Sequence, residues 1–434
     1  MSVYTILLFC TAIVNCFGVK NAFDKKPYYF FDSKTAYSFV RGKDLSVPEN
    51  CQIQQIFMLC RHGTRTCSSE DNDDMVELMS LKNTIKKTKT LDAEDINVIR
   101  TWMNENVDHD KDLTKQGEQD MIELATSVKA AFGDIFKEDF DSKIHSVLAS
   151  PETRAKESGW CFLHNAFDNI NITELTEYKD DVTLNIDLIR TNKVPKGEKK
   201  EKNKNTQMTA FQNGPEMNRT RANIAKRLGL ETVTFAQAKA MYESCRHETA
   251  NRPKNLQITP AWCRAFSEKD LQVFEYLNDM SWYYKLGWGN PDGHRLGCPL
   301  LTRLNLSFKL AAQKEGKRGI FYFGHRDNLF VAITMLELFK GDAALTAKNM
   351  RHMKQREWRT SFINPFAANM IAAFYSCNDN VDRVSFFVNE KIMPIELDDN
   401  STCTVCLWKD VEMKFDRITA DKRECGFGRI ITPP

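Results

Sequence analysis

The chain has 434 residues, and 60 Lys and Arg against 58 Asp and Glu leave a net charge of +2, too small to advertise a nucleic-acid partner. With 42% hydrophobic, 11% aromatic and 27% charged residues it has the makings of a large packed core, which excludes disordered and collagen-like classes. Past the first twenty residues no stretch stays apolar over the roughly 18 positions that a membrane-spanning helix needs.

At the amino terminus, residues 1–18 (MSVYTILLFCTAIVNCFG) carry no charged side chain, and the apolar run Ile6–Val14 has the length of a signal-peptide core. They are expected to be a leader removed on export, with cleavage near Cys16 to Val19. Export agrees with four Asn-x-Ser/Thr glycan acceptors, at Asn171, Asn218, Asn305 and Asn400. It also agrees with the 13 Cys, of which Cys10 and Cys16 fall in the leader while the others are scattered as disulfide partners are, with an odd thiol left over or shared with another chain. Cys403-Thr-Val-Cys406 reads as disulfide chemistry in preference to a metal site, because no second pair or His cluster lies near it. The terminal Ile-Thr-Pro-Pro is neither a retention signal nor an anchor tail, so secretion is expected over residence in the endoplasmic reticulum.

Further along, Gln52–Leu59 is an apolar run of strand length that stops at Cys60-Arg61-His62-Gly63-Thr64-Arg65. An amphipathic stretch follows over Lys115–Phe132, then a second strand, Ile144–Ala149, that ends in Ser150-Pro151-Glu152-Thr153-Arg154. From about 165 to 296 the texture changes to helical segments at Arg219–Leu228, Thr234–Glu243 and Glu268–Tyr284. The Lys-rich run Lys193–Lys204 reads as a solvated loop more readily than as a collector of anionic substrate. A third strand, Gly319–Gly324, releases His325-Arg326-Asp327; an amphipathic stretch, Leu329–Phe339, and a strand at Arg383–Asn389 complete the series. Strands alternating with helices predict an α/β fold with a doubly wound, mostly parallel sheet. Its core is expected over 19–164 and 297–434, with a mainly helical cap inserted at 165–296. Ligands of such sheets bind beyond the carboxyl ends of the strands.

Three strand ends each release side chains suited to phosphate. Guanidiniums fork onto phosphate oxygens, and a neutral imidazole can attack phosphorus and hold the phosphoryl group covalently. Gly63 is expected to keep the in-line approach clear of a side chain. His62 as nucleophile, Arg61, Arg65 and Arg154 with His325 as charge-neutralising donors, and Asp327 as acid fill the posts of phosphoryl transfer without a metal or cofactor.

On these motifs the chain resembles the histidine acid phosphatases, and within them the multiple inositol polyphosphate phosphatases. The resemblance runs from about Phe31 to Glu396. Beyond RHGTR it includes Leu113-Thr114-Lys-Gln-Gly117, Ser-Pro-Glu-Thr-Arg154, Gly214-Pro215-Glu216-Met217, Cys245 with Pro260-Ala-Trp-Cys263, and Asn364-Pro365-Phe366-Ala-Ala-Asn369 leading to Asn389-Glu390-Lys391. It implies an α/β core with a helical cap, a phosphohistidine on His62, and phosphate binding by Arg61, Arg65, Arg154 and His325. Ser68 stands where the family often has a phosphate-contacting Thr.

Two departures stand out. The pattern RHGxRxP has Pro where this chain has Cys67, a thiol that is either bridged or the unpaired one. The inositol-phosphate branch carries His-Ala-Glu where this chain reads His325-Arg326-Asp327, so the acid is one methylene shorter and has a guanidinium beside it. Such a neighbour holds a carboxyl ionised, which predicts acidic operation and slow turnover. The leading expectation is a secreted, metal-independent phosphomonoesterase for small phosphorylated substrates, inositol polyphosphates foremost, with the oligomeric state left open. Two alternatives are a broad acid phosphatase, betrayed by indifference to ring polyphosphates, and a lapsed enzyme that binds phosphate ligands without forming a phosphohistidine.

Overall fold

Strand β1 (Cys51–Arg61) is the axis of the sheet, and its run from Phe57 to Cys60 is completely buried. The structure is a computed structural model that describes residues 29–104, 108–170, 175–177, 200–253, 259–291 and 293–420. The expected leader, the Asn171 acceptor and residues 193–199 of the basic run lie outside the described residues; from Lys200 that run is helical, within Lys200–Gln212.

On one side of β1 the sheet is parallel, through β4 (Gly319–Gly324), β2 (His145–Ala149) and the short β3 (Thr176–Glu177). On the other it is antiparallel, through β5 (Asn369–Cys377), β6 (Asp382–Val388) and, beyond β6, both β7 (Lys391–Met393) and Cys406–Leu407. The α/β core stands as expected, but the sheet is mixed and not mostly parallel, because β5 and β6 return as antiparallel neighbours of β1; its parallel half carries the predicted strand ends. Alternate residues of the strands supply two cores. Phe57, Leu59 and Tyr322 join one face, and Ile56, Met58 and Phe321 the other.

The second face is covered by helices Lys115–Ala131 and Thr153–Ala166, through Met121, Leu124, Phe162 and Leu163. The first is continuous with the helices Pro215–Leu228, Phe235–Asn251 and Glu268–Leu286, whose Met217, Tyr242 and Tyr276 share one apolar cluster with the sheet. Disulfides join Cys51 to Cys377, Cys245 to Cys263 and Cys403 to Cys406. Cys67 is a free, buried thiol, as is Cys60, while Cys161 is free and partly exposed.

Of the expected glycan acceptors, Asn305 is buried. Asn305 lies on the helix Cys298–Ala312, 5% exposed, and its amide nitrogen donates to Asp416 Oδ1 at 2.8 Å. A buried nitrogen already engaged has no room for a glycan, so Asn305 is no acceptor in the folded chain. Asn218 and Asn400 are exposed.

Candidate active site

The end of β1 is fixed by backbone contacts before any side chain acts. Arg61 N donates to Ala368 O, and His62 N to Gly324 O at the end of β4. Gly63 is then obligatory for a reason other than the expected clear approach. A Cβ there would stand 2.3 Å from Gly117 O, and one on Gly117 would stand 2.1 Å from Thr64 O. The loop thus lies directly on the first turn of the Lys115–Ala131 helix, which Thr114 caps through Gly117 N. Thr64 holds it there, its N and Oγ1 both donating to Asp120 Oδ2 at 3.0 and 2.6 Å. Asp120 is fully buried, and burial pushes its carboxyl up to about 6 despite these hydrogen bonds.

His62 is 4% exposed, and its Nδ1 lies 2.8 Å from Gly63 O. A carbonyl only accepts, so Nδ1 carries the proton and the Nε2 lone pair is left for chemistry. Burial, then the charges of Arg61 and Arg154, hold the imidazole well below its ordinary range. Both causes favour the neutral ring with its Nε2 unprotonated.

Arg61 is 1% exposed, and its Nη1 donates to three carbonyls, Ser33 O, Asn364 O and Pro365 O, at 2.6, 3.0 and 2.7 Å. Its guanidinium covers the Phe366 ring at 4.7 Å, and its buried Nε has no partner. A buried guanidinium with an orphaned donor beside a neutral imidazole is a place for an anion. Arg65 is 7% exposed and bonds Thr66 O; burial and the Arg326 charge bring it down to about 10. Arg154, in the first turn of Thr153–Ala166, likewise has a buried Nε without a partner.

His325 caps the helix Arg326–Met335, and its ring centroid lies 5.6 Å from that of His62. Arg154 Nη2 is 3.3 Å from its Nδ1, which must accept, so Nε2 carries the proton and donates to Glu152 Oε2 at 3.0 Å, with Ser150 Oγ at 2.9 Å. The hydrogen bond from His325 holds Glu152 far below the usual carboxylate range. The structure thus gathers Arg61, His62, Arg65, Arg154 and His325. Asp327 stands apart: its carboxylate pairs with Lys285 Nζ at 3.5 Å, with Arg326 Nε at 3.9 Å, and bonds neither histidine. Ser68 is an N-cap, accepting from Asp71 N at 3.1 Å on the helix Ser69–Leu81.

Sequence reasoning missed Glu152, which lies inside the quoted Ser-Pro-Glu-Thr-Arg string, and the segment Asp32–Lys34. That segment supplies Ser33 O to Arg61 and puts Lys34 Nζ 3.2 Å from His247 Nε2. Asp71, Glu243 and His247 offer metal-ligand atoms within 4.8 Å of one another. Resident cations already answer them: Lys34 lies 3.9 Å from Asp71, and Arg246 pairs with Glu243.

Comparison with protein families matches residues 52–389 to the histidine phosphatase superfamily (branch 2). The multiple inositol polyphosphate phosphatase 1 of Drosophila melanogaster is 30% identical over 420 residues, covering 91% of this chain and 86% of that protein. Its Homo sapiens namesake is 24% identical, covering 92% and 89%. Among solved structures, the phytase of D. castellii superposes with a TM-score of 0.74 at 16% identity, covering 93% of this chain and 88% of that one. The Bifidobacterium longum multiple inositol polyphosphate phosphatase complexed with inositol hexasulfate gives 0.66 at 15%, covering 92% and 100%.

Proposed function

The chain belongs to branch 2 of the histidine phosphatase superfamily, and from that premise we propose that it is a secreted phosphomonoesterase that hydrolyses inositol polyphosphates through a phosphohistidine. That it is a phosphatase follows from the family; the substrate, the intermediate and the compartment are this reading's own. The observation that carries it is His62: neutral, with Nδ1 fixed on Gly63 O and Nε2 uncommitted, among three guanidiniums of which two have buried, unpartnered Nε atoms.

In the first step His62 Nε2 forms a bond to phosphorus while the bond to the ring oxygen breaks. Arg61, Arg65 and Arg154 neutralise the equatorial oxygens, with the His325 ring beside them. The departing oxygen takes a proton from Asp327. Water then attacks the phosphoryl group, the N–P bond breaks, and the water's proton returns to the carboxylate. Guanidiniums supply the charge that a metal would otherwise supply, which supports metal-independent turnover. Asp327 must hold a proton to act as the acid, so activity is expected on the acid side of neutral.

That relatives of this chain are named multiple inositol polyphosphate phosphatase 1 supports inositol polyphosphates over single esters as its substrates. Secretion rests on the leader-like residues 1–18, the exposed acceptors at Asn218 and Asn400, and the disulfides; among the described residues no helix is long and apolar enough to cross a membrane. The helices within 165–296 form the cap of this reading. The test is phosphate release from inositol hexakisphosphate between pH 3 and 8 with chelator present. Release that survives chelator and vanishes in His62→Ala is expected. Binding without release at every pH would instead mark a lapsed enzyme.

A further inference from the structure

On the inositol polyphosphate reading Arg61, Arg65 and Arg154 serve one phosphoryl group, yet the site holds a fourth guanidinium. Arg326 follows His325 at the start of its helix, and its charge is the foremost one acting on both Arg61 and Arg65. It shares a residue with Arg61: Arg61 bonds Ser33 O, while Arg326 Nη1 donates to Ser33 Oγ at 3.0 Å. The two guanidiniums are therefore neighbours across one residue, close enough for both to meet a single small ligand.

Their surroundings differ in kind. Arg326 rests on an indole, its guanidinium carbon 4.2 Å from the centroid of Trp282, and Lys285 Nζ lies 4.6 Å from the same ring. Trp282 is itself fixed by stacking on Phe330 at 5.1 Å. A cation held by an aromatic face keeps its N–H donors free for a ligand, which a cation held by carboxylates does not. Arg326 and Lys285 remain 32% and 38% exposed in their side chains. Among the described residues Asp327 alone lies within ion-pairing distance of either, so two cations share one carboxylate. A positive charge is left over at the mouth of the site.

We propose that Arg326 and Lys285, set against Trp282, form a subsite for a second phosphate of the same substrate molecule, beside the phosphate that His62 attacks. The proposal rests on the inositol polyphosphate reading above. A ring bearing phosphates on adjacent carbons presents a second dianion within reach of Arg326, whereas an aryl monophosphate has nothing to place there. Arg326 and Lys285 are then specificity residues that act through ground-state binding.

The experiment compares kcat/KM for inositol hexakisphosphate and for p-nitrophenyl phosphate in the wild-type chain, Arg326→Ala, Arg326→Lys and Lys285→Ala. Arg326→Ala is expected to lower the ratio of the two by about tenfold, chiefly through the hexakisphosphate KM. Lys285→Ala shifts it less, in the same direction, and Arg326→Lys recovers part of it, which a purely structural role for Arg326 would not produce. If the wild-type chain turns over both substrates and Arg326→Ala leaves the ratio unmoved, the subsite is wrong and the substrate reading survives. If the wild-type chain cleaves the aryl ester and not the hexakisphosphate, both fall together.

Discussion

Arg61 and Arg326 both emerge where a strand ends, yet the fold treats them differently. Arg61 is 1% exposed and tied to three backbone carbonyls, while Arg326 keeps 32% of its side chain exposed and lies on an indole. The β1 side of the site is held by main chain: Ala368 O, Gly324 O, the Gly63–Gly117 contact and the Thr64–Asp120 hydrogen bonds. The mouth beyond β4 is held by side chains that can exchange partners, Lys285, Asp327 and Trp282. Geometry at the reacting phosphorus tolerates little error, whereas substrate choice can be altered by single substitutions. The fold has placed its rigidity accordingly.

That contrast breaks if substitutions on the two sides act alike. Arg61→Ala should have the largest effect, lowering kcat/KM by about 10³-fold for every substrate, because it removes a transition-state donor and orphans three buried carbonyls. Steady-state kinetics on two chemically different esters checks it, and a substrate-selective loss would count against the rigid-wall account. Gly63→Ala comes next. Its Cβ cannot coexist with Gly117 O, so the chain should lose about 2–3 kcal/mol in denaturant unfolding, together with much of its turnover.

On the mouth side, Asp327→Asn should lower kcat by about 10²-fold for a ring alcohol leaving group and by less for p-nitrophenolate, which needs no proton. Rates unchanged across pH would remove Asp327 from the mechanism. The smallest effect sharpens the picture of the buried side. The Asp120 carboxyl, at about 6 in the fold against an ordinary 3.8, binds its proton more tightly folded than unfolded. Its contribution to stability is therefore complete below about pH 3.8 and is lost as pH rises through 6, amounting to at most about 3 kcal/mol. In Asp120→Asn the melting temperature should lose that pH dependence between 4 and 6.

The sequence disclosed the parallel half of the sheet because β1, β2 and β4 are apolar runs that switch abruptly to charge, and an abrupt switch marks a strand end facing a ligand. It did not disclose β5. Asn369–Cys377 contains two adjacent alanines and no polar alternation, and it is a strand because β1 and β6 flank it on both edges. The same logic divides the site. Arg61, His62, Arg65, Arg154 and His325 were legible because each lies within five residues of a strand end. Lys285 and Trp282 come from a helix about forty residues before His325, and Ser33 from the segment before β1, so that only tertiary packing brings them near. Asn364-Pro365 and Asn389-Glu390 were recognisable as motifs, but their work was not: the first gives two carbonyls to Arg61, and Asn389 Oδ1 holds Asn369 N. Arg326 was read from its neighbour in sequence, as a brake on Asp327. In space it also faces Trp282 and Ser33, and that gives it a second role.

The most direct measurement traps the phosphoryl group. The chain is mixed with ³²P-labelled substrate at mildly acidic pH, quenched in alkaline detergent where phosphohistidine survives, and digested for peptide mapping. The account predicts transient label on the peptide containing His62, formed as fast as the first turnover and absent in His62→Ala. Turnover without label on that peptide, or a His62→Ala chain that still releases phosphate at the wild-type rate, would contradict it.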